Sequence, residues 1–322
     1  MKALITGGLG FIGSNLAKRL VADGHAVTLV DSLIPEYGGN LFNVDDIKDR
    51  LTINISDIRD PYSTRTLLKG VDVVFNLAGQ TSHADSMVDP FTDLDINAKS
   101  QLSLLEAVRD VCPDAVVVFA STRQIYGKPL SLPVSESHPI RPVDVNGVNK
   151  VAGEQYHLLY HDVYGIRAVC LRLTNTYGPR MRIKDARQTF LGIWINKLLS
   201  GQAFQVFGDG QQLRDFNYVD DVVEALILAS QTEQCYGKAL NLGGTEVISL
   251  SQLATLLCSL GTTHSGWQLS PFPPDRKAID IGDYYSNFQL AEDLLSWYPR
   301  VHLSSGLAHT LEYYEKHFSH YI

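Results

Sequence analysis

An α/β fold, a doubly wound parallel sheet followed by a smaller C-terminal α/β lobe, is predicted by three observations. Short apolar, β-like runs alternate with stretches of helical periodicity through the first half of the chain. A glycine-rich turn, Gly7-Gly8-Leu9-Gly10, separates the first strand from the first helix. After residue 175 the rhythm loosens, and Gly/Pro punctuation increases at Gly178-Pro179, Gly208-Asp209-Gly210, Pro271 and Pro273-Pro274.

Residues 2–6 form a short apolar run that ends in the glycine turn. Ile12, Leu16 and Leu20 then recur at helical spacing until Gly24 stops the helix. Residues 26–31 read as a second buried strand, and further strands are predicted at 51–55, 71–78, 115–121 and 168–175. Helices are predicted over 91–110 and 148–164, where they separate the later strands. Strands divided by helices in this way lie parallel, with both faces of the sheet covered. In the looser second half, residues 218–230 read as a helix that returns to the first lobe.

The bulk composition excludes several function classes. The chain has 322 residues, 45% hydrophobic and 19% charged, enough to bury a large core. A formal net charge of −8 without a Lys/Arg run argues against a nucleic-acid backbone or an anionic membrane as main partner. Cys112, Cys170, Cys235 and Cys258 are far apart and form no CxxC pair, so neither a disulfide frame nor a metal site is expected. The first strand begins at once, and no apolar run approaches the roughly 18 residues of a membrane span. These features together predict a soluble cytoplasmic protein.

The glycine turn carries the first chemical signal. Gly7, Gly10 and Gly13 stand between strand and helix, where a pyrophosphate meets backbone N–H groups and the positive end of the helix dipole. The first glycine permits the turn, the second lets the diphosphate approach, and the third lets helix and sheet pack closely. Asp31 ends the second strand, where a carboxylate accepts hydrogen bonds from the adenosine ribose hydroxyls and repels a 2′-phosphate. NAD is therefore expected over NADP. Asp57-Ile58-Arg59 is placed for the adenine edge, and Leu77-Ala78-Gly79 offers small residues at the end of the fourth strand. In domain terms, residues 1–176 make the dinucleotide-binding Rossmann part, with 215–240 returning to it, and 177–214 with 241–322 make the second lobe.

The sequence resembles the extended short-chain dehydrogenase/reductases, specifically the nucleotide-sugar epimerase/dehydratase family. The likeness covers nearly the whole chain. It rests on Gly7–Gly13 with Phe11-Ile12, Asp57-Ile58-Arg59-Asp60, Asn76-Leu77-Ala78-Gly79-Gln80, Asp89-Pro90 with Asn97, and Ser121-Thr122 with Tyr126-Gly127. It continues through Asn175 with Tyr177-Gly178-Pro179-Arg180, Gly208-Asp209-Gly210 with Arg214-Asp215, and Tyr218-Val219-Asp220-Asp221. The resemblance implies NAD in the first domain and a nucleotide-diphosphate sugar in the second lobe. It implies transient hydride transfer at the sugar, with Ser121 and Thr122 polarising the reacting oxygen and Lys150 holding the nicotinamide ribose. It also implies that Gln80, Arg123, Asn175, Arg214 and Arg276 face the substrate, and that helices 91–110 and 148–164 form a homodimer interface.

One position departs from the family pattern. The family's acid/base tyrosine lies four residues before the lysine, and here that place holds Asn146. An amide donates and accepts hydrogen bonds but does not lose a proton at accessible pH. Three readings follow. The proton passes through another group, Lys150, Tyr126 or His83; or Asn146 orients a substrate hydroxyl for different chemistry; or the protein binds nucleotide-sugar and NAD without turnover. Arg123 and Gln124 stand where dehydratases of the family carry an Asp-Glu pair, which disfavours ordinary 4,6-elimination and leaves a non-standard dehydratase as the alternative enzyme.

Overall fold

The computed structural model describes residues 1–262 and 265–322. The first half runs β1 (Lys2–Thr6), α1 (Phe11–Ala22), β2 (Ala26–Asp31), β3 (Leu51–Ile55), α2 (Pro61–Leu67), β4 (Val73–Asn76), α3 (His83–Val88), α4 (Pro90–Leu94), α5 (Ser100–Val111), β5 (Val116–Thr122), α6 (Val145–Tyr164) and β6 (Arg167–Leu173). It continues through β7 (Asn175–Tyr177), α7 (Phe190–Leu199), β8 (Phe204–Phe207), β9 (Leu213–Tyr218), α8 (Val219–Gln231), β10 (Ala239–Asn241) and β11 (Val247–Ser249). The chain ends with α9 (Leu250–Leu260), β12 (Trp267–Ser270), α10 (Pro274–Ala278), α11 (Gln289–Leu295) and α12 (Leu303–His317).

The seven-stranded sheet has the order β10-β6-β5-β4-β1-β2-β3, parallel throughout. The order reverses between β1 and β4, which opens a crevice at the carboxyl ends of those strands. Leu4, Ile5, Val74, Phe75, Val117 and Val118 are buried, as expected of a sheet covered on both faces. A second sheet, β11-β9-β7, and the pair β12-β8 stand beside it.

The boundaries differ from expectation where side chains compete with regular structure. β4 is shorter than 71–78 because the N–H groups of Leu77 and Ala78 both donate to Thr6 Oγ1 at 3.0 Å and peel the chain away from the sheet. The predicted helix 91–110 is α4 and α5 joined by a π-turn over Asp95–Lys99. The wider turn seats Asn97, whose Nδ2 donates to the Gln80 carbonyl at 2.9 Å. α6 starts at Val145, not 148, because Asp144 caps it through the Gly147 N–H at 2.6 Å. The strand expected over 168–175 ends at Leu173, and the chain crosses at Thr174 into β7 of the second sheet.

Helix α6 is tied to the sheet by a buried charge cluster. Glu154 accepts from Ser121 Oγ at 2.6 Å and from Arg172 Nη2 at 2.6 Å, with both charged side chains almost fully buried. Removing one member of such a pair leaves the other uncompensated in the interior. Glu154→Ala is expected to lower the unfolding free energy by about 3–5 kcal/mol in urea titration of the ligand-free protein.

Candidate active site

A cleft of about 1010 Å³ runs from the β1–α1 turn across the sheet ends to β12 and α10. Its volume lies at the upper end of the ~300–1,000 Å³ usual for small-molecule and cofactor sites. The structure brings the glycines, Asp31, Lys150, Asn146 and the residues expected to face the substrate, from Gly7 to Arg276, to this one cleft, whereas Arg59 and Tyr126 do not line it.

At one end, α1 begins at Gly10 with no side-chain cap, so its first N–H groups are free for an anion. Gly7 needs its positive φ of 65°, and a Cβ on Gly13 would run into the Gly7 carbonyl oxygen. Asp31 accepts the Leu9 N–H through Oδ2 and the Leu33 N–H through Oδ1, both at 3.0 Å. Burial pushes its pKa up, and the N–H groups of Leu33, Leu9 and Gly10 oppose that shift. Phe11, Ile12, Ile58, Leu77 and Ala78 supply apolar walls, and the Asp57 carboxylate, paired with Arg59, adds a charged edge. A glycine-rich turn at an uncapped helix start, with a fixed carboxylate opposite, fits a dinucleotide.

In the middle of the cleft stands Lys150. It is 7% exposed, and its ammonium donates to the Ala120 carbonyl at 3.1 Å. A Cβ on Gly79 would lie 3.0 Å from Lys150 Nζ, so the glycine spares the ammonium a tight contact there. Burial brings the Lys150 pKa down to about 8, with the Asp93 carboxylate opposing. The two neighbouring hydroxyls differ. Ser121 donates to Glu154, whereas Thr122 Oγ1 accepts the Gln124 N–H at 3.2 Å and keeps its own hydrogen for the cleft. Tyr126 is buried away from the cleft, donating to Asn241 Oδ1 at 2.7 Å.

Asn146 is also committed to protein partners. Its Nδ2 donates to the Gln80 carbonyl at 2.8 Å and to Asp93 Oδ2 at 2.9 Å, while Asn149 Nδ2 reaches Asp93 Oδ1 at 2.8 Å. Gln80 is buried, with its own Nε2 on the Ser82 carbonyl at 2.9 Å. Asp93 is a fully buried carboxylate that the sequence reading passed over; an acid at one helical turn of an otherwise amphipathic stretch was the available signal. His83 is the first residue of α3, with Ser82 as its cap.

At the far end, Arg123 Nη2 donates to Asn175 Oδ1 at 2.9 Å, while its Nη1 is buried with no hydrogen-bond partner among the described residues. Asn175 Nδ2 holds the Asp215 carbonyl at 3.0 Å. Arg214 Nη1 donates to the Leu213 and Gly282 carbonyls, with Asp280 at 3.6 Å from Nη2; burial and then Arg123 bring its pKa down to about 10. Arg276 on α10 lies over the Phe207 ring at 5.7 Å. Arg123 and Arg214 leave positive charge buried in the pocket, the setting in which it attracts anions most strongly, and the exposed Arg276 lines the same cleft.

Residues 3–243 match the model of the NAD dependent epimerase/dehydratase family. The chain belongs to that family. NAD is the cofactor of this epimerase/dehydratase family member, and the protein is an NAD-dependent enzyme of that type. It is 33% identical to a UDP-glucose 4-epimerase of Mycolicibacterium smegmatis over 318 residues, 98% of each chain. A UDP-glucose 4-epimerase of Thermotoga maritima, solved with UDP-glucose, superposes with a TM-score of 0.88 at 29% identity, covering 99% of this chain and 100% of that one. A UDP-glucuronic acid 4-epimerase of Bacillus cereus, solved with UDP-glucuronic acid and NAD, gives 0.87 at 28% identity, covering 98% and 99%. Among the described residues, no helix is long and apolar enough to cross a membrane.

The depressed Lys150 pKa has a measurable consequence for this family member. Between about 8 and 10.5 the unfolded chain binds more protons at this position than the folded one, so folding gains stability as pH rises. Lys150→Met removes that contribution. The wild-type minus Lys150→Met difference in unfolding free energy is expected to climb by a few kcal/mol, on the order of 1.4 per pH unit, across that window in ligand-free urea titrations.

Proposed function

We propose that this enzyme modifies a nucleotide-diphosphate sugar, a UDP-sugar first among the candidates, by epimerase-like chemistry with transient hydride transfer. The continuity of the cleft carries this reading: the uncapped glycine turn, Lys150 with Thr122, and the arginine end share one cavity. The UDP-sugars named for the relatives above support it. NAD supplies the hydride acceptor and donor.

The roles assigned to this chain's residues follow from their surroundings. Thr122 polarises the reacting oxygen with its free hydroxyl hydrogen, while Ser121 fastens the strand to Glu154 and so takes no direct part. Lys150 fixes the cofactor ribose, and Asn146 braces the wall of the pocket through Gln80 and Asp93. Gly7, Gly10, Phe11, Ile12, Gly13 and Asp31 seat the diphosphate and adenosine ribose, and Asp57, Ile58, Leu77, Ala78 and Gly79 line the remainder. Arg123, Asn175, Arg214 and Arg276 receive the sugar diphosphate, consistent with the preference of guanidinium groups for phosphate oxygens. No carboxylate occupies positions 123 and 124, which favours epimerisation over elimination.

The same reading extends to organisation. We divide the chain into a cofactor domain, 1–176 with 215–240, and a substrate lobe, 177–214 with 241–322. Val88, Phe91, Leu159 and Val163 are exposed apolar residues on α3, α4 and α6, which supports a homodimer formed through these helices. The free cysteines among the described residues suit the reducing cytoplasm.

Proton NMR with NAD in D₂O, against UDP-, dTDP-, GDP- and CDP-sugars, tests the function. A new sugar signal, or exchange at a defined carbon, is expected with a UDP-sugar and should vanish in Lys150→Met. Binding of a sugar nucleotide without any change at its carbons would instead establish a catalytically silent binder.

A further inference from the structure

With Asn146 in the family's acid/base position, a substrate hydroxyl needs another proton acceptor. The side chains nearest that position are committed: Asn146 donates to Gln80 and Asp93, Ser121 donates to Glu154, and Lys150 donates to Ala120. The start of α3 is docked directly on the start of α6. Ser86 Oγ donates to the His83 carbonyl at 2.8 Å and accepts the Asn146 N–H at 3.1 Å, which sets His83 beside the altered position.

The imidazole of His83 has a carboxylate behind it. Its Nδ1 lies 3.1 Å from Asp144 Oδ2, and the Asp144 side chain is wholly buried. Asp144 is itself held by the Gly147 N–H at 2.6 Å and by Gln124 Nε2 at 2.8 Å. Burial alone would raise the Asp144 pKa, but His83, Gly147 and Gln124 outweigh it and hold the carboxyl below its ordinary value. The His83–Asp144 approach is close without the alignment of a full hydrogen bond, so Nδ1 is a buried nitrogen with no hydrogen-bond partner among the described residues. Catalytic hydrogen bonds in unliganded sites are often misaligned in this way and tighten when substrate binds. The ring as a whole is 38% exposed and lines the cleft. With Nδ1 turned inward to Asp144, Nε2 is on the open edge.

We propose that His83, oriented by Asp144, is the proton acceptor and donor that replaces the missing tyrosine. The inference rests on the sugar-oxidising reading above. In the forward step the hydroxyl O–H bond breaks and the proton passes to His83 Nε2. The hydrogen on the same carbon leaves with its electron pair to NAD⁺ as the C=O bond forms. The return step reverses both transfers, so His83 ends neutral. Asp144 stays ionised and balances the imidazolium, as a carboxylate does behind other catalytic histidines. The charged group facing the ring is Asp144, the cap of α6, and Asp85 on the ring's own helix is paired with Arg187 at 3.2 Å.

The test combines turnover with a readout independent of it. His83→Gln is expected to lose about 10²–10⁴-fold in sugar turnover while binding NAD and UDP-sugar as wild type does. Free imidazole is expected to restore part of the activity of His83→Ala. Nitrogen-15 NMR, with the His83 signal assigned by its absence in His83→Gln, is expected to show the neutral ring protonated on Nδ1. That preference should be lost in Asp144→Asn. Wild-type turnover in His83→Gln, or a ring protonated on Nε2, would overturn the role of His83 and leave the enzyme reading intact. A wild-type protein that binds UDP-sugar but never alters it would remove the parent reading, and this inference with it.

Discussion

The site depends on the carboxylate of Glu154. This single buried group accepts Ser121 Oγ from β5 and both Nε and Nη2 of Arg172 from β6, and so fastens α6 to two strands at once. Arg172 passes the connection to the Tyr126 hydroxyl, and Tyr126 to Asn241 on β10. Lys150 is one helical turn before Glu154 on α6, so the anchor that positions the helix also positions the ammonium over the sheet ends. Burying these charges is costly, and their mutual satisfaction is what makes one register of helix against sheet acceptable.

Much of this was legible because backbone-level requirements leave marks in sequence. The parallel strands showed as apolar runs, since both faces of the sheet are covered, and Leu51–Ile55 and Ala26–Asp31 form with the expected bounds. The glycine turn showed because no other residue fits at Gly13. What escaped the reading was decided by long-range polar partners. The early start of α6 was hidden by Asn146 and Gly147, poor helix formers in isolation. Their place in the helix depends on Asp144 and Asp93, whose nearness cannot be inferred from spacing. The same applies to His83: only the fold brings Asp144 to it across 61 positions of sequence.

The asparagine at position 146 therefore belongs to a rebuilt neighbourhood. Asp93 is a buried carboxylate that needs donors, and the amides of Asn146 and Asn149 each supply one. A tyrosine at 146 would offer its single hydrogen either to Asp93 or to the cleft. The π-turn over Asp95–Lys99 belongs to the same arrangement, because it brings Asn97 to the Gln80 carbonyl that Asn146 also shares. The wall of the pocket is thus a network of amides around one carboxylate, stiff where a phenol would have been free to exchange its proton.

The return of the chain to the first sheet has a bearing on how the molecule can be taken apart. β10 completes the edge beside β6, and α8 packs along α1, yet both come from sequence that follows strands of the second sheet. A fragment ending at residue 176 would expose the backbone edge of β6 and the apolar flank of α1, an invitation to strand-to-strand association. The elements of the first sheet are interlaced in sequence with those of the second, so a single crossover cannot exchange one without the other.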